Sequence, residues 1–493
     1  MRRCACIKDK QTHTLDIFGI FLKCFTIIFI IVTIKFGINI VKLNIVPDKY
    51  LMILMISLCI LTSVCVFLLV NKKINSIIKI LISVILIGLM IIYVYTLSYI
   101  KVTEEFVSTI TTEIEETEEY YIVTLKSGNY DTLEGLIGKT IYTFMAEEDY
   151  KDIKDKILSK VDVCFKDMES IKQLKTLLLS NEAAAILISN SQYNILYDED
   201  KTFVDNITKV YTTTHKIQKS LKLEENILES IPKYTIESGA FNIYISGIDT
   251  KGKISNVARS DANIILTVNT DTHTMLLTSI PRDYYVTLHS KGVKDKLTHS
   301  GIYGIQETYM TVEDLLGIDI NYYVRVNFTT LEKVVDALGG VEVYSEYEFK
   351  SYVYSYKKGI NYLNGAQALE FARERYAFAS GDRQRVKNQQ AVLKGIMNKV
   401  LTSETILTKY TNLLQALDDS FQTNISTQQI STILKGQISD MKAWNIQTNS
   451  LDGTGASMPT YSYGSELLYV MMPQKESIDN AKEKINSVLD MSK

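Results

Sequence analysis

The chain has 493 residues, too many for one ordinary domain, and length alone suggests about three units of roughly 150 residues each. Its 53 Lys and Arg against 56 Asp and Glu leave a net charge of −3. No whole-chain basic field exists, so charge gives no support to a nucleic-acid partner. Of six cysteines, only Cys164 lies beyond position 70, which excludes a disulfide framework in the rest of the chain. In KVDVCF, Cys164 is expected to be a buried small apolar residue.

The first hundred residues are a different material from the remainder. A bilayer-spanning helix needs about 20 mostly apolar residues, and three such runs occur, at 17–40, 51–70 and 77–99. Lys23 and Lys35 interrupt the first, with stems long enough to reach an interface. A cleaved signal peptide would explain only one run. Arg2, Arg3, Lys8 and Lys10 precede the first run, and Lys72 and Lys73 fill the turn between the second and third. Both flanks belong on the cytoplasmic side under the positive-inside rule, so three spans place everything after Lys101 outside. The expectation is a multi-pass bacterial membrane protein with an extracellular C-terminal domain.

Residues 1–101 thus form a cytoplasmic N-terminus and three transmembrane helices. The Thr- and Glu-rich VTEEFVSTITTEIEETEEY, from Val102 to about Tyr120, reads as a solvated helix or stalk leaving the membrane. Between about 120 and 230, a strand-like YYIVTL, an SGN turn, helical stretches and the apolar AAAILIS suggest a small α/β accessory unit, serving binding or spacing. Stalk and accessory domain together span 102–235. A second α/β domain, with a central β-sheet flanked by helices, covers 236–493. Within it ANIILTVN and TMLLTSI, separated by TDTH, read as a β-hairpin. Helices are expected at 302–316, 329–338, 364–370, 382–402 and 475–490, with strands at 444–451 and 467–472.

Chemistry-bearing residues concentrate in this last domain. Asp249 ends a strand in SGIDT and Asp261 opens the next in RSDANIIL, close to Arg259. Adjacent strand ends can bring the two carboxylates together, and two carboxylates plus substrate phosphate oxygens suit Mg²⁺; the alternative is a pair of turn or N-cap aspartates. Arg282 stands at a strand terminus in SIPRD, beside Asp283, a setting equally suited to a surface ion pair. In FARERY, Arg373 and Arg375 are two apart. On a helix they would diverge by about 200°, whereas on a strand they share a face. Two guanidinium groups on one face favour an anion between them, and a diphosphate fits their bidentate geometry.

GDRQRVKNQQ continues with Asp382 as an expected N-cap. Asp382, Arg385 and Gln389 fall on one helix face, near an N-terminus that itself attracts anions, while Arg383 and Lys387 point to solvent. The histidines, including His299 in KLTHSG, read as structural or surface residues. No HExxH, GxSxG or Cys–His arrangement is present, which argues against the hydrolases that use them.

Taken in order, SGIDT, RSDANI, SIPRDYYV, KLTHSGIYG, GIDINYYVRVNF, VDALGGVEVY, LNGAQALEFARERY and GDRQRVKNQQ resemble the LytR-CpsA-Psr family, specifically capsule-associated members with three spans and an accessory domain. The resemblance implies transfer of a polyprenyl-pyrophosphate-linked polysaccharide, as glycosyl phosphate, to peptidoglycan, with capsule-synthesis proteins as further partners. It makes Asp249 and Asp261 ligands of Mg²⁺, with Mn²⁺ as the alternative ion. It makes Arg259, Arg282, Arg373, Arg375, Arg385 and Gln389 pyrophosphate-binding groups, with Arg282, Arg373 and Arg375 catalytic and Asp382 and Arg383 supporting. The competing readings are a polyprenyl pyrophosphate phosphatase and a non-catalytic regulator of capsule synthesis.

Overall fold

The computed structural model describes residues 2–44, 46–71, 73–111, 117–144, 147–216, 235–248, 254, 257–401, 413, 416, 421–440 and 442–491. It divides into two compact units, one of Met1–Thr109 with Ser426–Lys442, the other of Ile110–Ile425 with Ala443–Lys493.

The first unit contains α1 (Arg2–Leu43), α2 (Asp48–Val70) and α3 (Ser76–Thr111). The stretches Gly19–Lys42, Asp48–Val70 and Ser76–Ser98 are long and apolar enough to cross a membrane. Phe67, Ile85 and Ile91 are each more than 60% exposed on these helices. Such a surface suits hydrocarbon rather than water. Inside the bundle the Phe36 and Tyr93 rings stack with centroids 4.3 Å apart. The later helix α13 (Thr427–Asp440) belongs to the same unit. Its Lys435 Nζ donates to Asn44 Oδ1 at 2.7 Å and to Asp48 Oδ1 at 3.2 Å, at the turn between α1 and α2.

In the second unit the chain first forms β1 (Thr117–Leu125), β2 (Thr140–Thr143), α4 (Glu147–Leu158), β3 (Cys164–Asp167), α5 (Ile171–Leu179), β4 (Ala185–Ser189), α6 (Asn190–Glu199), α7 (Lys201–Asp205) and β5 (Ile207–Lys216). The strands make one mixed sheet in the order β3-β2-β4-β1-β5. β4 is buried along its whole length, as AAAILIS requires of a central strand. Two expectations fail here. The strand β1 begins at Thr117, so the solvated stalk ends before Tyr120. Cys164 is exposed, because Val161 and Val163 take the inward positions of the alternation and turn the thiol outward.

The chain then builds a six-stranded mixed sheet in the order β16-β11-β6-β7-β8-β17. Its strands are β6 (Ala240–Ile248), β7 (Ser260–Asn269), β8 (Thr274–Ile280), β11 (Tyr322–Asn327), β16 (Phe421–Thr423) and β17 (Asn445–Ser450). The expected hairpin is β7–β8, antiparallel from Asn263↔Ile280 to Asn269↔Thr274. One face packs against α9 (Ile305–Leu316) and the closing helix α14 (Lys475–Leu489), around Tyr244, Ile265, Val312 and Ile485. A second core joins α10 (Phe328–Ala337), the hairpin of β12 (Val341–Ser345) and β15 (Gly359–Leu363), α11 (Gly365–Arg373) and α12 (Asp382–Val400). Capping boxes start α10 at Asn327–Thr330 and α11 at Asn364–Gln367.

A last hairpin, β18 (Gly453–Thr460) with β19 (Gly464–Pro473), links the two sheets of this unit. At its tip, Tyr463 donates its hydroxyl to Glu199 and its carbonyl accepts from Ile171 N at 3.2 Å. Lys172 reaches Glu466 at 3.1 Å. Tyr463 and Ile302 are buried in the same apolar cluster as Leu174 and Phe203. Ser462 N donates to Asp295 Oδ2 at 2.8 Å, and Asp295 Oδ1 faces His299 Nδ1 at 2.6 Å, so His299 has the structural role expected of it.

The contact between α10 and α11 fixes the helix that carries Arg373. A Cβ on Gly365 would sit 2.4 Å from the Glu332 carbonyl oxygen and 2.8 Å from Asp336 Oδ2. Gly365→Ala is expected to destabilise the domain by about 1–3 kcal/mol, read by chemical denaturation of the purified chain. An unchanged midpoint would show that the two helices separate freely.

Candidate functional site

The polar ends of β7 and β8 meet the N-terminus of α12. Asp261 Oδ1 accepts from Arg282 Nη1 at 3.0 Å and from Thr298 Oγ1 at 2.9 Å. Thr298 lies on the short helix α8 (Leu297–Ser300). That helix packs hard against residues 258–260, where a Cβ on Gly301 would lie 2.6 Å from the Ala258 carbonyl oxygen. Arg282 Nε stands 3.9 Å from both Asp283 Oδ2 and Asp382 Oδ1. Arg385 Nη2 is 2.6 Å from Asp382 Oδ1, one helical turn earlier, an ion pair without hydrogen-bond alignment. Lys296 Nζ donates to Asp283 Oδ1 at 2.9 Å.

Arg259, Asp261 and Arg385 are all buried, at 9%, 9% and 7% exposure. Burial alone would push the Asp261 carboxyl up. The guanidinium groups of Arg282, Arg259 and Arg385 and the Thr298 hydroxyl overcome that and hold it well below the usual carboxylate range. Asp283 is held down the same way, against burial, by Lys296 and Arg282. Arg385 is lowered, first by burial and then by Arg282, with Arg375 adding to the repulsion. Arg259, Arg282, Lys296 and Arg385 are thus four cations gathered with three carboxylates, Asp261, Asp283 and Asp382. Among the described residues, the cations of this cluster outnumber its carboxylates by one. Among the described residues, buried Arg282 Nε and Arg385 Nε and Nη2 have no hydrogen-bond partner. A buried charged donor without a partner carries a desolvation cost that an oxyanion removes.

The remaining expected residues divide. Arg375 comes within electrostatic reach of Arg385, its Nη2 donating to Tyr376 Oη at 2.7 Å. Arg373 lies over Phe328, with its guanidinium carbon 4.2 Å from the ring centroid. The expected strand through FARERY is absent. The capping box at Asn364 starts a helix that runs through Arg373, and only Glu374 turns extended. The two arginines therefore do not share a strand face. Asp382 is the first helical residue rather than the N-cap, which is Gly381 at φ 53°, a left-handed position that glycine adopts without strain. Gln389 lies one turn beyond Arg385 on α12 and is half-buried. Arg383 is exposed and braces the last hairpin, 2.7 Å from Asp452 Oδ1 and 2.9 Å from the Gly453 carbonyl oxygen.

Asp249 lies outside the described residues. Ile248, which precedes it, pairs with Ser260, which precedes Asp261, as the strand-end argument requires of their neighbours. Among the described residues no group of three or more His, Cys, Asp or Glu side chains is arranged to hold a metal ion. A divalent cation beside Asp261 would draw most of its ligands from water and substrate oxygens, the habit of Mg²⁺. Sequence reasoning missed Lys296 and Thr298, which complete the ring around Asp283 and Asp261. Their one signal was the run of polar residues in KLTHSG, buried here at Thr298, His299 and Ser300.

The LytR_cpsA_psr family model matches residues 204–486, more than half of the chain. The polyisoprenyl-teichoic acid–peptidoglycan teichoic acid transferase TagU of Bacillus subtilis strain 168 is 33% identical over 268 residues, 53% of this chain and 84% of its own length. TagU of Enterococcus faecalis is 33% identical over 261 residues, 52% of this chain and 81% of its own. The crystal structure of B. subtilis TagU covers 52% of this chain and 98% of that one at 30% identity, with a TM-score of 0.41.

Asp261 has a folded pKa below its unfolded value, so its ion pairs stabilise the fold above the usual carboxylate range and are lost as pH falls through the folded pKa. Asp261→Asn should cost about 3–5 kcal/mol near neutral pH by leaving guanidinium charge unmatched. The gap from wild type should begin to narrow below about pH 4 and keep shrinking as pH falls toward the folded pKa. Melting curves across this range check it; a gap independent of pH would assign the loss to packing.

Proposed function

Because the chain belongs to the LytR-CpsA-Psr family, we propose that it transfers a lipid-linked glycopolymer, as glycosyl phosphate, from polyprenyl pyrophosphate to peptidoglycan. The observation that carries this reading is the set of three buried guanidinium nitrogens on Arg282 and Arg385 that, among the described residues, have ion-pair neighbours but no hydrogen-bond acceptor. A pyrophosphate supplies oxyanions for all three. The relatives' action on polyisoprenyl-linked teichoic acid and peptidoglycan supports the donor and acceptor classes. Three apolar helices with an accessory sheet match the capsule-associated pattern, which favours capsular polysaccharide as the polymer.

Phosphoryl transfer depends on positioning and charge neutralisation more than on a covalent protein intermediate. Arg282 and Arg385 would grip the pyrophosphate, with Arg375 at the edge of the cluster. An acceptor hydroxyl oxygen bonds to the sugar-bearing phosphorus. The bond from that phosphorus to the bridging oxygen breaks, lipid monophosphate departs with the electron pair, and the hydroxyl proton passes to solvent. The guanidinium groups stabilise charge that grows on the leaving phosphate. Mg²⁺ held by Asp261 and Asp249 would add Lewis-acid neutralisation of the pyrophosphate oxygens.

Arg375→Ala and Arg385→Ala should each lower transfer from labelled lipid-linked polymer to isolated peptidoglycan about 10²–10³-fold. Arg375→Ala should do so with little change in melting temperature, because its side chain is only half-buried and donates to the neighbouring Tyr376 hydroxyl at the surface. Release of lipid phosphate at equal rate without acceptor would make the protein a phosphatase instead. Chelation should abolish transfer and added Mg²⁺ restore it.

We place the C-terminal domain outside the cell. The basic flanks of the first three apolar runs support this. A phosphatase reporter fused after residue 493 should be active only if exported; an active cytoplasmic reporter there would reverse the assignment.

A further inference from the structure

A groove of about 1160 Å³ runs between α12 and the β12–β15 hairpin. Its chemistry is unlike that of the arginine cluster. Asp336, Glu342 and Glu346 are matched by Lys387, Lys394 and Lys399, and Lys387 pairs with Glu346 at 3.1 Å. Among the described lining residues the groove is therefore close to electrically neutral.

Two tyrosines, Tyr344 and Tyr362, stand on its wall. Register pairs Glu342 with Tyr362 and Tyr344 with Ile360, so Tyr344 and Tyr362 are diagonal neighbours on the outward face of the hairpin. Diagonal positions of that kind lie about 7–8 Å apart. Both line the groove, at 55% and 74% exposure. Leaving large aromatic rings in water is unfavourable unless something covers them. Around them stand side-chain amides, among them Asn364, Gln367 and Asn398. Flat aromatic faces beside amides that both donate and accept fit a pyranose, which presents C–H groups on its faces and hydroxyls around its rim.

We propose that this groove is a subsite for an uncharged saccharide chain. The assignment of that chain to the transfer reaction rests on the transferase reading; the binding itself does not. Two sources carry the same chemistry, the glycan strand of the wall and the polymer on the lipid.

Full-length protein in detergent is co-sedimented with peptidoglycan sacculi stripped of attached polymers, and titrated separately with polymer released from its lipid. The double variant Tyr344→Ala/Tyr362→Ala should bind at least about tenfold more weakly in one arm, and the responding arm names the source. Tyr344→Phe/Tyr362→Phe keeps the rings and should bind near wild type, which separates stacking from misfolding. Arg375→Ala should bind sacculi normally while losing transfer. Equal binding by the alanine variant and wild type in both arms, with equal melting temperatures, overturns the subsite and leaves the transferase reading intact. Weakened binding by the variant, with wild type showing no transfer, upholds the subsite and removes the transferase reading.

Discussion

The rest of the domain is organised around a charge problem. Arg259, Arg282 and Arg385 are drawn into one place, largely out of water, together with Asp261, Asp283 and Asp382. A guanidinium taken out of water without a partner is costly, and unlike an ammonium it does not escape by losing its proton. Asp261 is the central counter-charge. Thr298 fixes one of its oxygens, α8 fixes Thr298, and the absence of a side chain at Gly301 lets α8 approach. Asp283 is occupied by Lys296, and Asp382 is shared between Arg282 and Arg385. These three acids are committed, yet among the described residues Arg282 Nε and Arg385 Nε have no hydrogen-bond partner. An anionic ligand would complete this ionic lattice.

How much of this was legible depended on whether local chemistry or tertiary contact made the decision. The apolar helices, the β7–β8 hairpin and α12 follow from length and periodicity, and the structure has them where the pattern put them. FARERY misled because charge spacing was weighed above capping. Asn364 and Gln367 begin a helix whose hydrogen bonds propagate through Arg373 and stop before Arg375, so the two charges are parted by the helix end. Arg375 reaches the cluster by the turn after the helix rather than by a shared strand face. Lys296 and Thr298 were out of reach, since their roles exist only once α8 lies against residues 258–260. Cys164 was readable: strict alternation with Val161 and Val163 already turned it outward.

The helix α12 separates two kinds of recognition. Arg385 and, one turn on, Gln389 follow its charged side; Lys387, two residues from Arg385 and so about 200° around the helix, lines the tyrosine groove. A single rigid element thereby fixes the distance between a site suited to phosphate and one suited to sugar rings. Such a division matches a substrate whose reacting group is highly charged and whose attached chain is not.

The hairpin of β18 and β19 ties the accessory sheet to residues far along the chain. Glu199 and Tyr463 are 264 positions apart, and Lys172 and Glu466 are 294 apart. The apolar cluster beneath the accessory sheet is incomplete until Tyr463 fills it. During synthesis, then, the accessory sheet is made early and finished late. Loop closure over such separations is slow, and the unfinished core exposes apolar surface in the interval. A truncated chain that stops before the hairpin carries an open core, so incompletely made protein differs from finished protein in a way that proteases and chaperones can sense.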